Sequence, residues 1–257
     1  MGSTNLMKTK ELIADLPPAA AEMLEIFRDF VRHEEPEAYH VLFPAQREGA
    51  PANDHLHAWG RLLSAFQSSF HAETSWHVIR VMNKTGYHTE RIALKHPDNQ
   101  ELQRLHAEIE AIRIGARLHD IGKIRMIDLL DKTGILSNSE WARIRRHSDD
   151  GYEFLRLFKD LPDTALEVVR FHHERWDGKG YPLGLCGEQI PLAARLFQLV
   201  EVYNALRFER SYRGEDQKRW ERERVINYIA ERAGTEFDPF LAPLFIDNLN
   251  WLTFLAE

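Results

Sequence analysis

Apolar residues in this chain recur three and four positions apart for most of its length, and the alternating runs that mark half-buried strands are nearly absent. That pattern restricts the fold to packed helices. Met23, Leu24, Phe27, Phe30 and Val31 form one apolar face in a helical stretch over 8–33, interrupted near Pro17-Pro18. Pro36, Pro44, Gly49 and Pro51 mark 36–53 as linker or irregular loop, and helix resumes near Asp54. From Glu73 to about Lys84 a helix places Glu73, His77, Val81 and Lys84 near one face, and Gly86 is expected to end it. The break at His96-Pro97-Asp98-Asn99 offers Asp98 or Asn99 as cap for one long helix from Glu101, carrying Leu102, Leu105, Ile109, Ile112 and Ala116 up to His119. Helices are also expected over 139–158, 163–171, 192–206 and 219–232. The result is an all-α bundle, a class in which metal sites are assembled from side chains on several facing helices.

Thirteen histidines are spread over the chain, and two pairs stand out: His119-Asp120, and His172-His173, with His77 upstream and His147 between them. Neutral imidazole suits divalent iron, manganese or zinc, and a carboxylate beside an imidazole can bridge two ions. Adjacent helical residues diverge by about 100°, so His119 and Asp120 reach one centre only near a helix end, which Gly122 supplies. His172 and His173 fall where the 163–171 helix stops, ahead of a loop reading Glu174-Arg175-Trp176-Asp177-Gly178-Lys179-Gly180-Tyr181-Pro182. Each candidate has a plain alternative: a surface histidine for His77 or His147, a solvated carboxylate for Glu73, a helix terminus whose dipole favours imidazole for His172 and His173.

His119-Asp120-Ile121-Gly122-Lys123 and the loop from His172 to Pro182 together resemble the HD-GYP family, a branch of the HD phosphohydrolases whose characterised members hydrolyse cyclic di-GMP. The resemblance continues through Leu183-Gly184-Leu185, Ile190 to Arg195 and Arg210-Ser211-Tyr212-Arg213, and ends in Gly234-Thr235-Glu236-Phe237-Asp238-Pro239. It covers 71–257, expected as an HD-domain helical bundle, and leaves 1–70 as a helical extension that packs on the core or mediates a homodimer. It implies two or three divalent ions, iron or manganese first, held by His77, His119, Asp120, His147, His172, His173 and Glu201, with Glu73 serving a third ion. Asp120 would bridge and act with Lys123 in catalysis, while Lys123, Tyr181, Asn204, Arg210 and Arg213 would touch substrate.

Glu201 and Asn204 depart from the family pattern, and Ser211 and Arg213 stand where proline and lysine are usual. Where Asp-Val-Phe-Asp-Ala-Leu is usual, this chain reads Glu201-Val202-Tyr203-Asn204-Ala205-Leu206. Glu201 is a longer carboxylate that can still ligate. Asn204 exchanges a guanine-binding carboxylate for an amide that both donates and accepts, so base preference can differ. The reading is therefore a metal-dependent phosphodiesterase turning a cyclic dinucleotide, cyclic di-GMP first, into the linear dinucleotide and/or GMP. Its alternatives are a phosphohydrolase or di-iron oxygenase of the same superfamily with another substrate, and a catalytically weak cyclic di-GMP-binding module that engages a diguanylate cyclase through the Gly-Tyr-Pro loop. The histidines at 33, 40, 55, 57, 71, 88, 96 and 106 match nothing in the pattern and are read as structural or surface residues.

Composition narrows the partners. A net charge of −7 argues against a nucleic-acid polymer, though not against a small phosphodiester, because bound cations dominate the local field at a metal site. Charged residues make up 28% and no window approaches a membrane span. The single cysteine, Cys186, and the absence of a signal-like start make a cytoplasmic setting the expectation.

Overall fold

A helix begins at 100 where the sequence places a cap: the Asn99 side chain accepts the Leu102 N–H at 3.0 Å. The computed structural model describes residues 18–34, 72–130, 132, 136–207 and 219–254, with the side chains at 19, 28–34, 72–79, 127, 130 and 250–254 outside the description. The helices are α1 (Pro18–Glu34), α2 (Ala72–Lys95), α3 (Gln100–Ala107), α4 (Ile109–Leu118), α5 (Ile127–Leu130), α6 (Asn138–Arg145), α7 (His147–Leu155), α8 (Asp163–Phe171), α9 (Leu192–Arg207), α10 (Arg222–Glu231) and α11 (Leu241–Phe254). A 3-10 segment, Ile121–Met126, follows α4. Among the described residues there is no strand, and two isolated bridges join Asp177 to Cys186 and Ala233 to Phe237.

Two apolar cores share the chain, and α4 and α8 lie between them. Ile112 and Ala116 of α4 and Val168 of α8 join Leu196, Phe197, Val200, Ile229 and Phe245 in one. Ile114 and Leu118 of α4 and Val169 of α8 join Met23, Phe27, Ile121 and Phe154 in the other. Each fully buried aliphatic or aromatic side chain contributes about 1.5–3 kcal/mol, so these two helices are held on both flanks. Their C-termini, which lead into His119 and His172, are therefore fixed. α1 packs on α7 and the 3-10 segment, with the Phe27 ring edge-on to Phe154 at 5.9 Å and Phe158 at 5.8 Å.

The structure corrects the expected helices at four places. Gly86 does not end α2, which runs on to Lys95. It is there for close approach: the Arg113 side chain of α4 lies across it, and an added Cβ would collide with the guanidinium. The long helix from Glu101 breaks at Glu108, whose N–H bonds to the carbonyls of Arg104 and Leu105 and whose carboxylate accepts from the Thr164 hydroxyl of α8. The 139–158 helix breaks at Arg146 into α6 and α7. Finally, α11 was not anticipated, because its apolar residues surround the axis. Pro243 sits in its first turn, where a missing N–H costs nothing. Helix over 8–17 and from Asp54 lies outside the described residues.

His88, read as structural, is 1% exposed between α2 and α11. Asn248 donates to its Nδ1 at 3.0 Å and Phe245 packs on its ring at 4.5 Å. Burial, reinforced by the nearby Lys84 charge, lowers its pKa to about 3. A folded pKa below the unfolded value favours the neutral ring, so this stabilisation is complete above about pH 6.5 and is lost as pH falls toward the folded value. Between pH 7 and 5 the unfolding free energy of the parent should drop more steeply than that of His88→Leu, the excess slope approaching ~1.4 kcal/mol per pH unit. Denaturant titrations at several pH values measure it; parallel slopes would contradict the assignment.

Candidate metal centre

Three histidines leave helix ends or starts with one nitrogen already committed. His119 follows α4, His147 opens α7 and His172 follows α8, and they are 0%, 1% and 0% exposed. Their Nδ1 atoms lie 2.8, 2.8 and 2.9 Å from the carbonyls of Ala116, Ile144 and Val169, in each case three residues back. A carbonyl only accepts, so each Nδ1 carries the hydrogen, and in the neutral ring Nε2 presents a lone pair. The same bond orients the ring and raises its basicity as a ligand.

Those lone pairs converge. The Nε2 atoms of His147 and His172 stand 3.2 Å apart, and one ligand atom from each of His147, His172 and His173 falls within 4.8 Å of the others. Asp120 joins them from the turn after α4: its Oδ2 is 3.3 Å from His119 Nε2 and its Oδ1 3.4 Å from His147 Nε2. Glu201 reaches in from α9, 8% exposed, with Oε1 3.9 Å from His119 Nε2. The longer carboxylate therefore still arrives at the cluster.

Burial pushes the pKa of His147 down to about 3, aided by the Lys123 charge, and that of His172 to about 4. His173 is lowered well below the usual range by burial and by its two histidine neighbours. His119 moves the other way: burial lowers it, but the Asp120 carboxylate, with Glu201 behind it, outweighs that loss. Asp120 is held ionised, burial notwithstanding, by His119 and Lys123. Both shifts disfavour a second proton between His147 and His172 at neutral pH. Two lone pairs facing at 3.2 Å are stabilised instead by a shared cation, and imidazole nitrogen with carboxylate oxygen is a donor set for iron, manganese or zinc. Asp120 Oδ1, buried and accepting no hydrogen bond, is the oxygen such an ion would satisfy. The residues fit a divalent metal site.

The backbone explains how α7 comes so close. A Cβ at Gly122 would overlap the His147 carbonyl and lie 2.8 Å from the Gly151 nitrogen, so only glycine lets the start of α7 meet the 3-10 segment. Lys123, one residue on, donates to Asp120 Oδ2 at 2.6 Å, so in this structure it is an ion pair with the candidate bridging carboxylate.

The loop after His173 is organised by a residue that sequence reasoning passed over. Glu174, 1% exposed, accepts the N–H groups of Leu183 at 2.7 Å and Gly184 at 3.1 Å on Oε1, and of Leu185 at 3.0 Å on Oε2. Its carbonyl accepts from Gln198 of α9 at 2.8 Å. The fold-back lets the Tyr181 N–H bond to the His173 carbonyl and stacks the Tyr181 ring on His173 at 4.7 Å. A carboxylate three residues after a helix end, ahead of a Gly-rich loop, is the signal that could have found it. In Glu174→Gln one amide hydrogen must face a backbone N–H, leaving a donor unsatisfied at about 1–3 kcal/mol. Amide exchange at Leu183 or Leu185 should then quicken by about ten-fold or more, and unchanged protection would contradict this role.

The other sequence-named positions divide sharply. Glu73 and His77 lie on α2, with side chains outside the described residues, and Arg210 and Arg213 are outside them altogether. Asn204 is 1% exposed, donates to the Val200 carbonyl of its own helix at 2.7 Å, and keeps a buried Oδ1 that accepts no hydrogen bond. Arg195 and Asp238, in the quoted strings but given no role, form a part-buried ion pair at 2.5 Å that ties α9 to the start of α11, where Asp238 accepts the Phe240 and Leu241 N–H groups.

The HD domain family model matches residues 89–241, the stretch that holds all the described candidate ligands. This chain belongs to the HD domain family. It is 35% identical over 176 residues to the 3'3'-cGAMP-specific phosphodiesterase 2 of Vibrio cholerae, covering 67% of this chain and 33% of that protein. It is 39% identical over 135 residues to the cyclic di-GMP phosphodiesterase response regulator RpfG of Xanthomonas campestris, covering 51% and 34%. The aligned stretch thus spans about a third of these relatives. Among solved structures, the HDG"Y"P protein Bd1817 of Bdellovibrio bacteriovorus shares the fold with a TM-score of 0.52 at 14% identity, over 96% of this chain and 79% of that one. No described helix is long and apolar enough to cross a membrane.

Proposed function

We propose that this HD-domain chain is a metal-dependent phosphodiesterase that hydrolyses a cyclic dinucleotide, cyclic di-GMP first among them, to the linear dinucleotide and/or GMP. The observation that carries the proposal is the convergence of the His147 and His172 Nε2 lone pairs beside an ionised Asp120. The cyclic di-GMP and cGAMP phosphodiesterases with which the chain aligns support the substrate class. His77, His119, Asp120, His147, His172, His173 and Glu201 would hold two ions, and Glu73 would serve a third. Iron or manganese fits the nitrogen-and-carboxylate set. Such ions supply Lewis-acid polarisation of the phosphodiester and lower the pKa of water into the neutral range.

The chain's own residues do the rest. Lys123 exchanges part of its pairing with Asp120 for charge growing on the phosphoryl oxygens, and Arg210 and Arg213 grip the anionic backbone. Tyr181 walls the site beside His173. The division into an extension, 1–70, and a catalytic unit, 71–257, belongs to the same proposal, as does a cytoplasmic setting. The Gly180-Tyr181-Pro182 loop, followed by Leu183 at 54% exposed, is where a diguanylate cyclase partner would dock. Turnover of cyclic di-GMP by iron- or manganese-loaded protein tests the activity, and none with any cyclic dinucleotide would refute it. The burial of Asn204 against its own helix favours one variation, a changed base preference, and a panel of cyclic dinucleotides, mononucleotides and phosphate monoesters reads it out.

A further inference from the structure

Three arginines crowd the junction of α6 and α7, and two of them are spoken for. Arg143 forms a fork with Asp128 at 2.7 and 2.9 Å, and Arg146 pairs with Asp150 at 3.5 Å. Arg145 makes no ion pair among the described residues; its guanidinium lies over the Tyr181 ring, 5.6 Å from the centroid. That ring is the one stacked on His173, so Arg145 stands one aromatic ring away from the histidine cluster. Trp141 is four residues earlier on α6, hence on the same helix face, and is 50% exposed. Neither residue is explained by the packing of the fold. An indole left half in water, one helical turn from a guanidinium that makes no ion pair among the described residues and faces an aromatic ring at the edge of a metal centre, is a platform for a flat, polar-edged group.

We propose that Arg145 and Trp141 form a nucleobase subsite at the mouth of the metal centre, Arg145 reading the edge of a guanine and Trp141 stacking on a base. This rests on the reading that the substrate is a cyclic dinucleotide. With Tyr181 next to the histidines, Arg145 is too far out for the reacting ester and suitably placed for a base attached to it. A guanidinium only donates, and guanine offers two adjacent acceptors, O6 and N7, where adenine offers one acceptor and an amino donor. Arg145 therefore selects guanine. Stacking carries no such discrimination, because every base has a π-face.

Steady-state kinetics on the metal-loaded full chain, with cyclic di-GMP and cyclic di-AMP, test the subsite in Arg145→Ala, Arg145→Gln and Trp141→Ala. Arg145→Ala should raise KM for cyclic di-GMP about ten-fold, with kcat within about two-fold and metal content retained. Arg145→Gln, whose amide matches the N6 and N7 of adenine, should shift the guanine-over-adenine preference about ten-fold toward adenine, a gain no structural disturbance produces. Trp141→Ala should raise KM for both substrates about five- to ten-fold without changing the preference. Unchanged KM and preference in the Arg145 variants, or loss of metal from all of them, would overturn the subsite while parental turnover leaves the activity standing. No cyclic dinucleotide turned over by the parent would overturn both.

Discussion

Asp120→Asn should lower phosphodiester turnover about a thousand-fold or more, equivalent to about 4 kcal/mol of barrier, and the purified variant should carry little metal. The side chain keeps its size, so packing is preserved. What disappears is the charge on which the site turns: one oxygen lies 3.3 Å from His119 and 2.6 Å from Lys123, and the other 3.4 Å from His147. An amide in its place aims a donor at a cation and leaves Lys123 without its partner, while nothing offsets the desolvation of the buried histidines. Metal analysis alongside turnover checks the expectation. Retained metal with near-normal turnover would remove Asp120 from the centre.

Gly122→Ala is expected to disable the site while leaving every candidate ligand in the chain. The new methyl meets the His147 carbonyl and the Gly151 nitrogen, and backbone cannot step aside as a flexible side-chain tip can. α7 must therefore retreat from the 3-10 segment, taking His147 from Asp120 and His172. Overpacking of this kind costs about 1–3 kcal/mol of stability. Displacement of a reacting group by about 1 Å can cost about a hundred-fold in rate, so turnover should fall by at least that order. Gly86→Ala is the contrast, because the group it meets is the movable end of Arg113. Unfolding and turnover measured on both variants should separate them. A Gly122→Ala protein with parental activity would show that the close approach is dispensable.

These expectations indicate what could be read from residues alone. Helices without an internal break were legible nearly to their ends: α8 matches 163–171 at both ends, and α9 lies within a residue of its expected limits. The breaks at Glu108 and Arg146 were not, because no glycine or proline marks them. They answer contacts with distant segments, Thr164 at the first and Gly122 at the second. Gly86 misled for the same reason: its meaning lies in Arg113, a residue on another helix. Of the candidate site, the structure brings His119, Asp120, His147, His172, His173 and Glu201 near one another. The Nδ1 bonds that aim the imidazoles, and Glu174 beneath the Tyr181 loop, are matters of backbone direction that residue types do not encode.

The central claim is that one cluster of histidine nitrogens and carboxylates holds more than one divalent ion. Anaerobic metal analysis of the parent and of the double variant His119→Ala, Asp120→Ala, with cyclic di-GMP turnover on the same samples, tests it most directly. The account predicts about two or three iron or manganese ions per chain in the parent, against near-background metal and no turnover in the variant. Background metal in an active parent, or turnover surviving in the double variant, would contradict it.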